Sequence, residues 1–336
     1  MKNDPIAEDR FLADFERRIA LGFRGLGRVL VAVSGGVDSM ALAEAAFRSK
    51  ASFEVASLDH GLRAEAAAEV ELVRAWAQAR GVVFHTRSLG LANGPGVEAR
   101  ARDARYAALL ELARTQGLGA IATAHTATDQ AETVVMRLTR GAAGRGAAGI
   151  HAQRGDRVVR PLLFATRADT ERYVALRGLE AVADPMNDDA SYLRVRVRRE
   201  VLPALERAVG PHAVPALARF AQYAAEDDAW LQAEALRGLE RARVSGGGSG
   251  SRLDLLAIRA MGAPIRRRAL AAWLSEQGVP LDAHHLDDAL TAITEGRTAT
   301  LPGDRVLLVE RSHLSIGVAP ARLHGTSSSD DGRPPR

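Results

Sequence analysis

Cysteine is absent from this chain of 336 residues. That excludes disulfides, thiolate zinc sites, cysteine-ligated iron–sulfur clusters and persulfide chemistry. Lysine is nearly absent: of 45 Lys and Arg residues only Lys2 and Lys50 are lysines. A Walker A loop places a lysine after GxxxxG, and neither lysine has that context, so this class of phosphate site is excluded. No apolar run reaches the roughly 18 residues of a membrane helix, and the N-terminus MKNDPIAEDR mixes its charges instead of running basic and then apolar. The expectation is a cytoplasmic chain with neither a membrane span nor a secretory signal.

Apolar residues make up 47% of the chain and charged residues 26%, the balance of an ordinary globular protein. The length admits two domains and a large core. Net charge is only +4, but it rests on arginine, whose planar fork matches phosphate better than a lysine point charge does. Such a composition admits a polyanionic partner; it is equally what a genome rich in G and C produces.

The informative stretch is Val29 to Met40, VLVAVSGGVDSM. A β-branched apolar run ends at Ser34-Gly35-Gly36-Val37-Asp38-Ser39, and strong helix formers follow from Met40. Two glycines allow a positive φ and close backbone approach, while the following helix aims its partly positive N-terminus at the same point. The pattern predicts a strand, an anion-cradling loop and a helix. A glycine-rich turn that binds nothing is the alternative, and both serines and the aspartate at these offsets weigh against it.

Further along, residues 9–23 carry Phe11, Phe15, Ile19 and Phe23 at helical spacing. Strands are predicted at 53–58, 81–85, 120–124 and 158–163, with helices at 64–80, 97–115, 129–139 and 167–179. This alternation implies an α/β fold, a doubly wound parallel sheet with right-handed crossovers. Polar residues sit just past three of the apolar runs: SGGVDS after the first, Asp59-His60 after the second, His125 and Asp129 after the fourth. In a doubly wound sheet such ends converge on one crevice. Asp129 and Glu132 are three apart on one helical face, which suits either a Mg²⁺ site or an N-cap with its capping-box partner.

Residues 140–149, RGAAGRGAAG, read as a lid, an RNA-contacting loop or a plain linker, with Arg140 and Arg145 available to phosphate. The arginines from Arg194 to Arg199 are either a solvated face or a substrate clamp. From about Gly210 the chain turns to alanine- and arginine-rich helices at 213–222, 225–243, 265–277 and 283–295, then a hairpin at 297–316. The last residues, GTSSSDDGRPPR, have a disordered composition. The expected division is a catalytic domain at 1–209, a smaller mainly helical domain at 210–320 and a tail at 321–336.

The hexapeptide SGGVDS resembles the pyrophosphate loop of the PP-loop ATP pyrophosphatase superfamily, which implies that Ser34, Gly35, Gly36, Val37 and Ser39 hold ATP phosphates and that Asp38 helps place Mg²⁺. Taken together with LDHGLR (58–63), EARARDARY (98–106), AHTATDQAET (124–133), RLTRGAAGRGAAGI (137–150), RPLL (160–163) and ADPMNDDASYLRVRVRREVLPAL (183–205), the chain resembles tRNA(Ile)-lysidine synthetases. The resemblance implies adenylation of C2 of the wobble cytidine of a CAU-anticodon isoleucine tRNA, and displacement of AMP by the amine of free L-lysine. It places Asp38, Asp129 and Glu132 at Mg²⁺; His60, Arg63, Arg100 and His125 around the adenylate and cytidine; Arg140, Asp184, Asn187, Arg194 and Arg198 toward lysine or tRNA. It admits a homodimer. Thr126, Thr128 and Val195 depart from the family's usual His, Asp and Asn. Thiolating relatives rely on cysteines that this chain lacks, metabolite ligases lack the LDHGLR and ATDQAET blocks, and a non-catalytic RNA binder would have little reason to keep Asp38, Asp129 and Glu132.

Overall fold

The computed structural model describes residues 4–59, 66–90, 97–141, 146–182, 192–244, 251–280 and 282–318. Helix α1 (Pro5–Phe23) starts from the Asp4 N-cap and buries Leu12, Phe15, Ile19 and Phe23; of the stripe anticipated from spacing, Phe11 is only partly buried. Then follow β1 (Val29–Ala32), α2 (Val37–Arg48), β2 (Phe53–Asp59), α3 (Ala66–Arg80), β3 (Phe84–Ser88), α4 (Val97–Thr115), β4 (Ala120–Ala122) and α5 (Ala127–Leu138). A short hairpin of β5 (Gln153–Arg154) and β6 (Val158–Val159) precedes α6 (Arg167–Leu176).

These strands form one sheet in the order β3-β2-β1-β4-β6-β5, parallel except for the β5 edge. The order reverses direction beside β1, between β1 and β4, so the loops leaving these two strands diverge and open a crevice at their carboxyl ends. Alternate residues of β1 feed two cores. Val29 and Val31 pack with α1, α2, α3 and α6, whereas Leu30 packs with Tyr106, Leu109 and Ala113 of α4. On the first face Phe15 stacks on Tyr173 at 4.4 Å.

Strand β3 starts three residues later than predicted. Gly81 adopts φ +65° and the Val82 N–H donates to Ala77 O, so the first apolar residues after α3 serve as its C-terminal cap. Beyond α6 come α7 (Leu193–Arg196), a π-helical turn (Val197–Val201) and α8 (Leu202–Val209). Pro203 offers no N–H to Arg199 O and its ring crowds that carbonyl, which accounts for the widened turn just before it.

The chain divides into two compact units, Met1–Glu226 and Asp227–Arg336. Helix α9 (Ala213–Ala242) runs across the division as one helix of 30 residues, where a break near Tyr223 was expected. No Gly or Pro stands there to stop it. The second unit continues with β7 (Leu253–Asp254), α10 (Leu255–Ala260), α11 (Ala263–Glu276), α12 (Ala283–Glu295), β8 (Ala299–Leu301), β9 (Arg305–Val309) and β10 (His313–Val318). The predicted hairpin is present, and β7 and β10 extend it to a four-stranded antiparallel sheet, β7-β10-β9-β8. Trp273, Leu239 and Leu253 are fully buried in this unit's core.

Candidate active site at the carboxyl ends of β1 and β4

A cavity of about 320 Å³ lies at the predicted crevice. Ser34, Gly36, Val37, Asp38 and Ser39 line it, with His125, Asp129, Arg194 and Arg198. Ala32, Ala56 and Leu58 from the strand ends and Leu109 from α4 supply an apolar part of the wall.

The loop after β1 is held by its own side chains. The Ser34 N–H donates to Ser39 Oγ at 3.1 Å, and Ser39 Oγ donates to Gly36 O at 2.9 Å. Gly35 turns the chain at φ +86°, and its carbonyl accepts from the Val182 N–H at 2.9 Å. A Cβ at Gly35 would lie 3.4 Å from Glu69 O, so glycine is required by conformation and tight for space. Gly36 caps α2 without any side-chain hydrogen bond, whereas α5 and α6 carry complete capping boxes. The first N–H groups of α2 therefore face the cavity free of a capping side chain, an arrangement that favours an anion.

Asp38, in the first turn of α2, is half-buried. Thr170 Oγ1 donates to its Oδ1 at 2.5 Å, and Arg167 stands 3.9 Å from Oδ2. Burial raises its pKa above the usual carboxylate range; the Thr170 hydrogen bond and Arg167 oppose this, and the negative charge of Asp129 adds to it.

Across the cavity, Thr126 is the N-cap of α5. Its hydroxyl accepts from the Asp129 N–H at 3.3 Å, and its own N–H donates to Asp129 Oδ2 at 2.7 Å. The capping pair is thus Thr126 with Asp129, not Asp129 with Glu132, because the helix begins at Ala127, two residues earlier than predicted, with Thr126 as its N-cap. Arg194 Nη2 donates to Asp129 Oδ1 at 2.9 Å. Burial alone would raise the Asp129 pKa, but Arg194, the Thr126 N–H and His125 outweigh it and the net shift is downward.

Glu132, one turn on, is completely buried, and both its oxygens are taken by arginine. Arg194 Nε reaches Oε2 at 2.6 Å and Arg198 Nε reaches Oε1 at 2.5 Å. The four-residue spacing of Arg194 and Arg198 brings both guanidiniums to this carboxylate, while Val195 and Val197 pack inward. His125 accepts or donates at Nδ1 to Thr123 Oγ1, 3.0 Å away. Burial pushes its pKa down to about 4; Arg160, Arg194 and Arg105 push the same way and Asp129 opposes them.

Arg100 and Arg140 are exposed and do not line the cavity. His60, Arg63, Arg145, Asp184 and Asn187 lie outside the described residues. Three charged residues of the cavity wall escaped the sequence reading. Arg105 stands one turn before Leu109 on the buried face of α4, a spacing that could have flagged it. Arg167 follows the Thr166 N-cap of α6, legible as a capping box but not as a site. Glu69 lines the cavity from α3.

A PP-loop domain family matches residues 8–205. A tRNA(Ile)-lysidine synthase from Salinispora tropica is 42% identical over 86% of this chain and 90% of its own length. One from Novosphingobium aromaticivorans is 47% identical over 67% of this chain and 68% of its own. Among solved structures, the U34-tRNA thiolase NcsA from Methanococcus maripaludis, described with its 4Fe-4S cluster, superposes with a TM-score of 0.55 at 14% identity, over 65% of this chain and 80% of that one. That likeness is one of fold alone. On identity and coverage together, the chain belongs to the tRNA(Ile)-lysidine synthase family of PP-loop proteins.

Proposed function

We infer that the chain is an ATP-dependent ligase that joins L-lysine to C2 of the wobble cytidine of a CAU-anticodon isoleucine tRNA through an adenylated cytidine, releasing AMP and diphosphate. The observation that carries this reading is the meeting of SGGVDS, His125 and Asp129 in one cavity at the sheet's switch point, within a chain of this family. A cytosine carbonyl is a poor electrophile. Adenylation turns its oxygen into a leaving group, so the protein's task is alignment and charge neutralisation.

The loop N–H groups and the open N-terminus of α2 receive phosphate oxygens. Ala56, Leu58 and Leu109 offer an apolar surface to a purine. Arg105 and Arg167 bring positive charge to the same wall, and His125 stays neutral near pH 7, so it offers a hydrogen bond without adding to that charge. Asp38 suits a Mg²⁺ ion carried by ATP: it is a desolvated carboxylate with a raised pKa, incompletely compensated by its neighbours. Bound there, Mg²⁺ would screen the phosphates. Asp129 and Glu132 are already neutralised by Arg194 and Arg198, so Glu132 reads as the anchor of an arginine clamp.

Along the chain we propose catalysis within residues 1–209, tRNA contacts within 210–320, a tail at 321–336, His60 and Arg63 toward the adenylate and cytidine, and lysine and tRNA entry near Arg140, Asp184 and Asn187. A cytoplasmic location and a homodimer complete the reading. The test is incubation with ATP, radiolabelled lysine and transcripts bearing a CAU isoleucine or a CAU methionine anticodon. Label only in the first is expected; label in neither, or ATP–pyrophosphate exchange without RNA, would refute it.

A further inference from the structure

Thr170 is fully buried on α6, one turn after Arg167, and its hydroxyl sits between two acceptors: Asp38 Oδ1 at 2.5 Å and Arg167 O at 2.8 Å. A hydroxyl carries one proton and can serve only one acceptor at a time. The first turn of α6 is itself fixed twice. The Thr166–Asp169 capping box closes it, and the Arg167 N–H donates to Thr128 Oγ1 at 3.0 Å, which ties it to the start of α5.

We propose that Thr170 is a positioning residue for Asp38: its hydroxyl holds the carboxylate toward the phosphate-binding cavity, and Thr128 sets the α6 turn from which Thr170 reaches it. While Asp38 is an unshared anion, the proton points to Oδ1. When the carboxylate is shared with a cation through Oδ2, the hydroxyl keeps its hold on Oδ1, so the carboxylate meets the cation already oriented. A carboxylate deprived of this donor, with Arg167 only at 3.9 Å, loses its fixed orientation toward the cavity. The chain has thus placed a threonine pair, 128 and 170, behind the residue most exposed to error in its nucleotide site.

This inference rests on the reading of the cavity as a magnesium–ATP site, and the test separates the two. Binding of ATP to the full chain is measured by calorimetry with Mg²⁺ and with EDTA, for wild type, Thr170→Val, Thr170→Ser and Thr128→Val, beside KM for ATP and kcat for pyrophosphate release. Loss of a hydrogen bond to a charged group predicts about a tenfold weaker Mg²⁺-dependent affinity in Thr170→Val. ATP binding in EDTA should stay within about twofold of wild type, the change should fall on KM more than on kcat, and Thr170→Ser should restore binding. Thr128→Val should give part of the same loss, and the double variant no more than Thr170→Val alone. Wild-type affinity in Thr170→Val, an equal loss with and without Mg²⁺, or failure of Thr170→Ser to rescue would overturn the positioning role. A wild type that binds ATP equally with and without Mg²⁺ would instead overturn the magnesium–ATP reading, and this inference with it.

Discussion

Replacing Glu132 by Gln asks whether this buried carboxylate is an arginine anchor or a metal ligand. The substitution keeps the shape and removes one negative charge that faces Arg194 Nε at 2.6 Å and Arg198 Nε at 2.5 Å. Removing one member of a buried ion pair costs about 3–5 kcal/mol. Arg194 is 39% exposed and Arg198 19%, and both keep a contact to Asp129, at 2.9 and 3.6 Å. Solvent screening and that second partner reduce the expected loss to about 2–3 kcal/mol. For a folded unit of this size each kcal/mol lowers Tm by about 2–4 °C, so Glu132→Gln should melt about 4–12 °C below wild type. The assay is thermal unfolding followed by circular dichroism in EDTA. A buried anchor shows the full loss without any metal, and Arg198→Met combined with Glu132→Gln should cost less than the two singly added. A variant that melts with wild type in EDTA, and differs only when Mg²⁺ is added, would refute the anchor argument.

Other consequences are open to direct measurement. Asp38→Ala should abolish pyrophosphate release while leaving Tm unchanged or raised, because the fold disfavours this carboxylate in its charged form; a fall in Tm of several degrees contradicts that account. Gly35→Ala forces a side chain into φ +86° beside Glu69 O and should cost about 1–2 kcal/mol in urea unfolding, with weaker ATP binding. His125 titrates at about 4 in the fold against about 6.5 unfolded, so the unfolded chain binds the extra proton between these values and stability falls as pH drops through that window. His125→Asn should flatten the slope; an unchanged slope assigns it elsewhere. Asp129, whose folded pKa is depressed, contributes stability that is present above the ordinary carboxylate range and is lost only as pH falls below it. Finally, if arginines bind the tRNA backbone, the logarithm of affinity should fall linearly and steeply with the logarithm of salt, whereas a flat response would contradict tRNA as the partner.

The local sequence was enough wherever the determining interactions are short in range. The β-branched run before SGGVDS, the helical stripe of α1 and the polar residues after β1 and β4 were legible because strand, turn and helix periodicity is set by near neighbours. The parallel sheet then followed from the alternation of elements, and with it the expectation that His125 and Asp129 meet the phosphate loop. What periodicity does not encode is which charged side chain meets which across the fold. Glu132 meets arginines 62 and 66 residues away, and Asp38 meets a hydroxyl 132 residues away. The sequence therefore left Asp129 and Glu132 open between cap and metal site, while tertiary packing gave the cap to Thr126 with Asp129 and gave Glu132 to the arginines. Arg105, Arg167 and Thr170 look like ordinary helix residues in one dimension; the fold brings the two arginines to one cavity and Thr170 behind Asp38. An isolated buried charge is too costly to leave unpaired, and only the folded chain decides which partner removes that cost.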